Sequence, residues 1–263
     1  MGLDRIAAVR KERDDVVAFC RSLSPEEWSK PSQCEGWSVQ DVVSHMAAIA
    51  HGVFTPWMLK FMTAKNLERN NDADVEIRRS RAPEQVLAEY EKWSSRMVKL
   101  LALGQRPPLS KAPFKVGELG VYPMALVASA SVFDTHVHLH YDLAPAVGRT
   151  LPPPGPGTVA VINEWVLAGI PKMCKAALSF MDLPVTITLD GPAGGSWGLL
   201  PGTDGKPGRI QPAPVAGSAA QITANPDEFA LWATRRRPWR DHDVKIDGDE
   251  TYATRILDAI RVV

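Results

Sequence analysis

The segment Phe133-Asp-Thr-His-Val-His-Leu-His-Tyr-Asp-Leu143 concentrates three of the chain's six histidines within five residues, with an aspartate on either side. Residues four apart on a helix share a face. The segment therefore offers two pairs, Asp134 with His138 and His136 with His140. Met124, Val127, Ser131, Asp134, His138 and Tyr141 follow three/four spacing, which assigns Asp134 and His138 to one side of a helix. His136 and His140 fall on another side and read as solvated or supporting residues. A carboxylate and an imidazole on an inward face are costly unless they bind something or each other. A divalent metal suits both, since neutral imidazole and carboxylate are zinc ligands. A surface salt bridge has the same i, i+4 spacing, so a ligand from a second helix is what would separate the two.

His45 is the best candidate for that third ligand. It lies in Cys34-Glu-Gly-Trp-Ser-Val-Gln-Asp-Val-Val-Ser-His45, where Gly36-Trp37 reads as a turn and Ser38 as a helix N-cap answered by Asp41. At roughly 100° per residue, His45 falls about 120° from the centre of its helix's apolar stripe, at the stripe's margin. That suits a site opening to solvent near a bundle end, with His51 pointing elsewhere. The cysteines, Cys20, Cys34 and Cys174, are widely spaced and contain no C-x-x-C pair. They are expected to be buried apolar residues rather than ligands or disulfides.

The elements that must hold these residues are helical in the first half. Apolar residues at three/four spacing run through 3–23 (Ile6, Val9, Val16, Cys20, Leu23), 38–62 (Val39 to Phe61), 83–103 (Val86, Tyr90, Trp93, Met97, Leu100, Leu101) and 118–143 (Met124, Val127, Phe133, Val137, Leu139). Four such stripes bury one another in a four-helix bundle. Leu151-Pro-Pro-Pro-Gly-Pro-Gly157 cannot continue a helix and marks a boundary, giving domains 1–150 and 151–263. Beyond it come a helix over about 157–180, an alternating strand Pro184–Asp190, a Gly/Pro-rich stretch to Gly217, a strand over 219–224 and a short helix opened by Asn225-Pro226. Val244-Lys-Ile246 is a last strand and Asp249–Val262 a closing helix. The fold class is thus α+β with two domains, the second carrying a small antiparallel or mixed sheet.

Composition narrows the function classes. Thirty basic and thirty acidic residues balance, and the densest basic run is Arg235-Arg236-Arg237. That is too little for a nucleic-acid or anionic-membrane surface. No stretch is long and apolar enough to span a membrane, and the charged start lacks the apolar core of a signal peptide. A cytoplasmic protein, monomer or homodimer, is expected.

Gly-Trp-Ser-Val-Gln-Asp-Val-Val-Ser-His-Met and the later Phe-Asp-Thr-His-Val-His-Leu-His-Tyr-Asp-Leu together resemble the DinB-like metalloenzyme superfamily. More narrowly, they resemble the mycothiol-dependent maleylpyruvate isomerase family of actinobacteria. The resemblance implies metal ligands at His45, Asp134 and His138, with Asp134 where the family often has Glu. It also implies Tyr141 where the family often has an acid, with Asp142 one residue later. The second half is similar in outline to sterol-carrier-like domains. Leu231-Trp-Ala-Thr-Arg-Arg-Arg-Pro-Trp239 would place Arg235 where Gly is usual and Arg236 at the functional arginine.

The activity so implied uses Zn2+ (or another divalent metal) and mycothiol. A metal-bound thiolate is the nucleophile in isomerisation or transfer on a small electrophilic substrate. Arg236 would clamp a carboxylate of substrate or thiol. A metal-dependent hydrolase using metal-bound water and a non-catalytic small-ligand binder are the alternatives from other classes.

Overall fold

The structure, a computed structural model, describes residues 3–203 and 205–263. It divides into two compact units, one of Asp4–Pro152 and one built on Pro153–Val263.

The first unit is mainly helical: α1 (Arg5–Arg21), α2 (Pro25–Trp28), α3 (Val39–Gly52), α4 (Trp57–Thr63), α5 (Leu67–Glu76) and α6 (Pro83–Gly104). A hairpin of β1 (Pro113–Val116) and β2 (Gly120–Pro123) leads into α7 (Met124–Val137). A π-helical turn (His138–Leu143) and α8 (Ala144–Ala146) complete it. Helix α3 packs on α6, and α1 packs on both α6 and α7. Val16, Val42, Val43, Met46, Val86, Leu139 and Leu143 form the centre of one apolar cluster. Each aliphatic side chain withdrawn from water there contributes about 1.5–3 kcal/mol.

Two expected helices are shorter than their apolar patterns. The pattern over 38–62 is cut at Gly52, and α3 and α4 meet at 105°. A Cβ on Gly52 would stand 2.3 Å from Cε3 of Trp57, so glycine is what lets the Trp57 ring fold back against the helix end. The Trp57 indole N–H donates to Asp74 at 2.6 Å, which holds it there. The stretch from 118 begins as a hairpin because Gly117 and Gly120 take φ of +45° and +119°, outside helical space. The helix starts only once Pro123 has been passed.

The second unit contains α9 (Pro156–Met173), α10 (Pro226–Ala233), α11 (Glu250–Ala259) and strands β3 (Val185–Leu189), β4 (Gly195–Leu200), β5 (Arg209–Gln211), β6 (Ala220–Ala224) and β7 (Lys245–Gly248). The strands form one mixed sheet, ordered β5-β4-β3-β6-β7, in which only the central β3–β6 pair is parallel. Ile187 sits opposite Ile222, which sits opposite Ile246, so β-branched side chains run across the sheet. The chain is therefore a mixed helix-and-sheet protein. No single helix among the described residues is long and apolar enough to cross a membrane.

Candidate metal centre

Two helices of the first unit supply the candidate ligands. Ser38 caps α3: its hydroxyl accepts from the Asp41 N–H at 3.2 Å, and the Asp41 carboxylate accepts from the Ser38 N–H at 2.9 Å. This reciprocal cap sets the start of the helix that carries His45. Gly36 takes φ +74°, making the turn that lays the Trp37 ring 5.3 Å from the His45 ring. The Trp37 indole is itself anchored by donating to Asp72 at 3.0 Å.

His45 Nε2 lies 3.8 Å from Asp134 Oδ1, and His138 Nε2 lies 3.6 Å from the same oxygen. The two imidazoles meet edge-on, with centroids 5.0 Å apart. One ligand atom from each of the three lies within 4.8 Å of the others. Atoms about 2.1 Å from one zinc ion at the tetrahedral angle stand about 3.4 Å apart. Two imidazoles and a carboxylate at these separations are compatible with one divalent ion.

The triad does not sit as the stripe argument has it. His45 is buried at 4% exposure rather than marginal, because α3 is enclosed on nearly every side. Asp134 is the solvent-facing member, its side chain 36% exposed. The buried face of α7 runs through Ala128, Val132, Phe133, Thr135, His136 and Val137, not through the three/four series that contains Asp134 and His138. The helix is apolar almost all round, so more than one series of positions fits a stripe. His136, expected in solvent or in support, is 4% exposed. His51 does point elsewhere: it stacks on Trp93 at 4.2 Å and meets Glu89 at 2.7 Å.

Two contacts near the triad were not expected from the sequence. Asp142, 2% exposed, has Oδ2 at 2.8 Å from His138 Nδ1. A proton held on Nδ1 by that carboxylate leaves the Nε2 lone pair free for a metal. The π-helical turn starting at His138 widens the backbone where this contact forms. Its spacing, four past His138, was visible in sequence. Cys34, only half-buried, brings Sγ to 3.9 Å from the same Nδ1. Nothing in the chain's spacing announces a contact between residues so far apart. Burial alone would lower the pKa of His138. The Asp142 hydrogen bond, the Cys34 contact and the charges of Asp134 and Asp142 outweigh it and push it up to about 10.

In the second unit, Arg236 is exposed just beyond α10. Its neighbour Arg235 takes φ +59°, in the left-handed region that favours glycine. The Arg235 guanidinium donates to the carbonyls of Ile260 and Asp258 at 3.0 and 2.5 Å, clamping the end of α11. Arg235 is therefore a structural residue, and the clamp explains how a non-glycine residue is held at this φ.

The model of the mycothiol maleylpyruvate isomerase N-terminal domain matches residues 9–144, which include His45, Asp134 and His138. The chain belongs to this family. Two solved structures of the mycothiol-dependent maleylpyruvate isomerase, one of them a His-to-Ala mutant, share its fold over both units. The mutant is 12% identical and the other 13%, each with a TM-score of 0.58 over 94% of this chain and 93% of theirs. At that identity the likeness is one of fold. No curated protein sequence matches significantly. Family membership makes a mycothiol-dependent isomerase the frame for the triad, with a low-molecular-weight thiol and a small-molecule substrate as the implied ligands.

Proposed function

We propose that the chain is a mycothiol-dependent isomerase or transferase acting on a small electrophilic substrate, with one divalent ion, zinc by preference, held by His45, Asp134 and His138. The observation that carries this is the meeting of two imidazoles and one carboxylate from separate helices, within 4.8 Å of one another, in a chain of this family. Three protein ligands of this kind would leave an open position, and zinc held there would lower the pKa of a thiol enough to supply thiolate at neutral pH.

The chain's own groups prepare that chemistry. Asp142 orients His138 and holds its Nδ1 proton. Trp37 packs against His45 and limits its ring motion. Asp134 presents its carboxylate toward solvent, the side from which a thiol arrives. Arg236, exposed just beyond α10, is the residue we assign to binding a carboxylate of substrate or thiol. For an isomerase, the thiolate would add to a conjugated cis alkene to give an enolate, the former double bond would rotate as a single bond, and collapse of the enolate would expel the thiolate and leave the trans alkene. For a transferase, it displaces a leaving group or opens an epoxide.

On the same reading the domains are 1–150, a DinB-like four-helix bundle, and 151–263, a small sterol-carrier-like α+β unit, in a cytoplasmic protein. The test is elemental analysis after dialysis of the wild type and of His45→Ala, Asp134→Ala and His138→Ala, followed by thiol titration. Each variant should lose one zinc per chain and the associated thiol affinity. A folded, zinc-supplied wild type whose metal content is indifferent to all three changes would refute the reading.

A further inference from the structure

A second group of ligand-type side chains lies in the same unit. Glu12, on α1, is 1% exposed, and its Oε2 makes no hydrogen bond. His136, on α7, is 4% exposed, and its Nδ1 makes none either. The two atoms stand 3.4 Å apart. His140 stacks on His136 with ring centroids 4.2 Å apart and planes 29° from parallel. One ligand atom from each of the three lies within 4.8 Å of the other two. A carboxylate oxygen and an imidazole nitrogen buried without hydrogen bonds are costly unless something satisfies them.

The geometry points to a second divalent-metal site, formed by Glu12, His136 and His140, that ties α1 to α7. The separation of Glu12 Oε2 from His136 Nδ1 matches the edge of about 3.4 Å spanned by two zinc ligands at the tetrahedral angle. Histidines four apart on a helix present both rings to one ion. Two neutral imidazoles and one carboxylate form a zinc-type donor set and leave a net single positive charge when a divalent ion binds. His140 is only partly buried, which opens a way in for the ion. Positions two apart on a helix point about 200° from each other. His136 and His140 therefore face away from His138, and the two sites stand on different sides of the helix. The second site's task is structural: it cross-links the N-terminal helix to the segment that carries the first triad.

Sequence held a sign of this arrangement. Glu12 follows Val9 by three and precedes Val16 by four, so a carboxylate occupies a position on the apolar stripe of α1.

The full chain, stripped with chelator and dialysed against zinc, tests the site by elemental analysis in a His45→Ala background, which removes a ligand of the first triad. His45→Ala should retain one zinc per chain, and zinc should raise its Tm. His45→Ala/Glu12→Gln and His45→Ala/His140→Ala should retain none and show no zinc-dependent Tm. Far-UV circular dichroism confirms that each variant is folded. His140→Ala, at a partly exposed position, keeps the test open if Glu12→Gln fails to fold. A folded His45→Ala protein that binds no zinc would overturn the site and leave a proton shared between Glu12 and His136 as what fills the gap. Zinc retained equally in the double variants overturns it as well. Wild type that keeps one zinc through His45→Ala but loses it in His140→Ala would support this site and count against the first.

Discussion

Raising the pH should destabilise the metal-free protein through His138, and the structure sets the size of the effect. The folded protein holds the His138 proton more tightly than the unfolded chain does. Although burial disfavours the cation, the 2.8 Å contact with Asp142, the Cys34 contact and the neighbouring carboxylates raise its pKa from 6.5 to about 10. A group whose folded pKa is raised stabilises the fold fully below its unfolded pKa, and that contribution is lost as pH rises through the folded one. The window therefore runs from about 6.5 upward. Each pH unit inside it removes about 1.4 kcal/mol, so moving from pH 6.5 to 8.5 should cost about 2–3 kcal/mol. The side chain is only 12% exposed, so solvent screening leaves most of this intact. Urea unfolding of chelator-treated protein at several pH values measures it. Asp142→Asn should flatten most of the slope, His138→Gln should abolish it, and saturating zinc should abolish it too, since a metal takes the neutral imidazole. If wild type and His138→Gln lose stability in parallel between pH 6.5 and 8.5, the account of His138 is wrong.

Other outcomes follow from single contacts. His140 has the opposite sign: burial, His136 and Lys11 lower its pKa to about 3. Its contribution is present above pH 6.5 and lost as pH falls toward 3, so His140→Gln should show a shallower acid limb than wild type in metal-free unfolding curves. Leu139→Ala removes a fully buried side chain from the helical core and should cost about 2–5 kcal/mol in urea denaturation with its fold retained. Gly52→Ala would gain about 1 kcal/mol at an ordinary helix position. Here the added methyl meets the Trp57 ring, so Tm should fall, with overpacking costing about 1–3 kcal/mol; a rise in Tm would show that the ring does not pack there.

Local patterns were legible from the residues themselves. Helices over most of α1, α3 and α6, the Ser38–Asp41 cap, the strands near 185–189 and 220–224 and the helix at Pro226 each follow from spacing or capping chemistry between neighbours in the chain. The candidate triad was legible for the same reason, since Asp134 and His138 are one helical turn apart and His45 follows a recognisable cap.

What the sequence left undecided depended on which side of an element would meet which other element. α7 is apolar around most of its circumference, so periodicity fitted a stripe through Asp134 and His138 while packing buried the side through Val132 and His136. Gly52 looked like one more helical residue until the Trp57 ring folded across it. Cys34 and Glu12 became partners of His138 and His136 only when distant segments came together, because such contacts carry no spacing that a linear chain can display. The π-helical turn at His138 likewise belongs to tertiary structure: it is where the backbone yields so that Asp142 reaches the imidazole and Leu139 and Leu143 still reach the core.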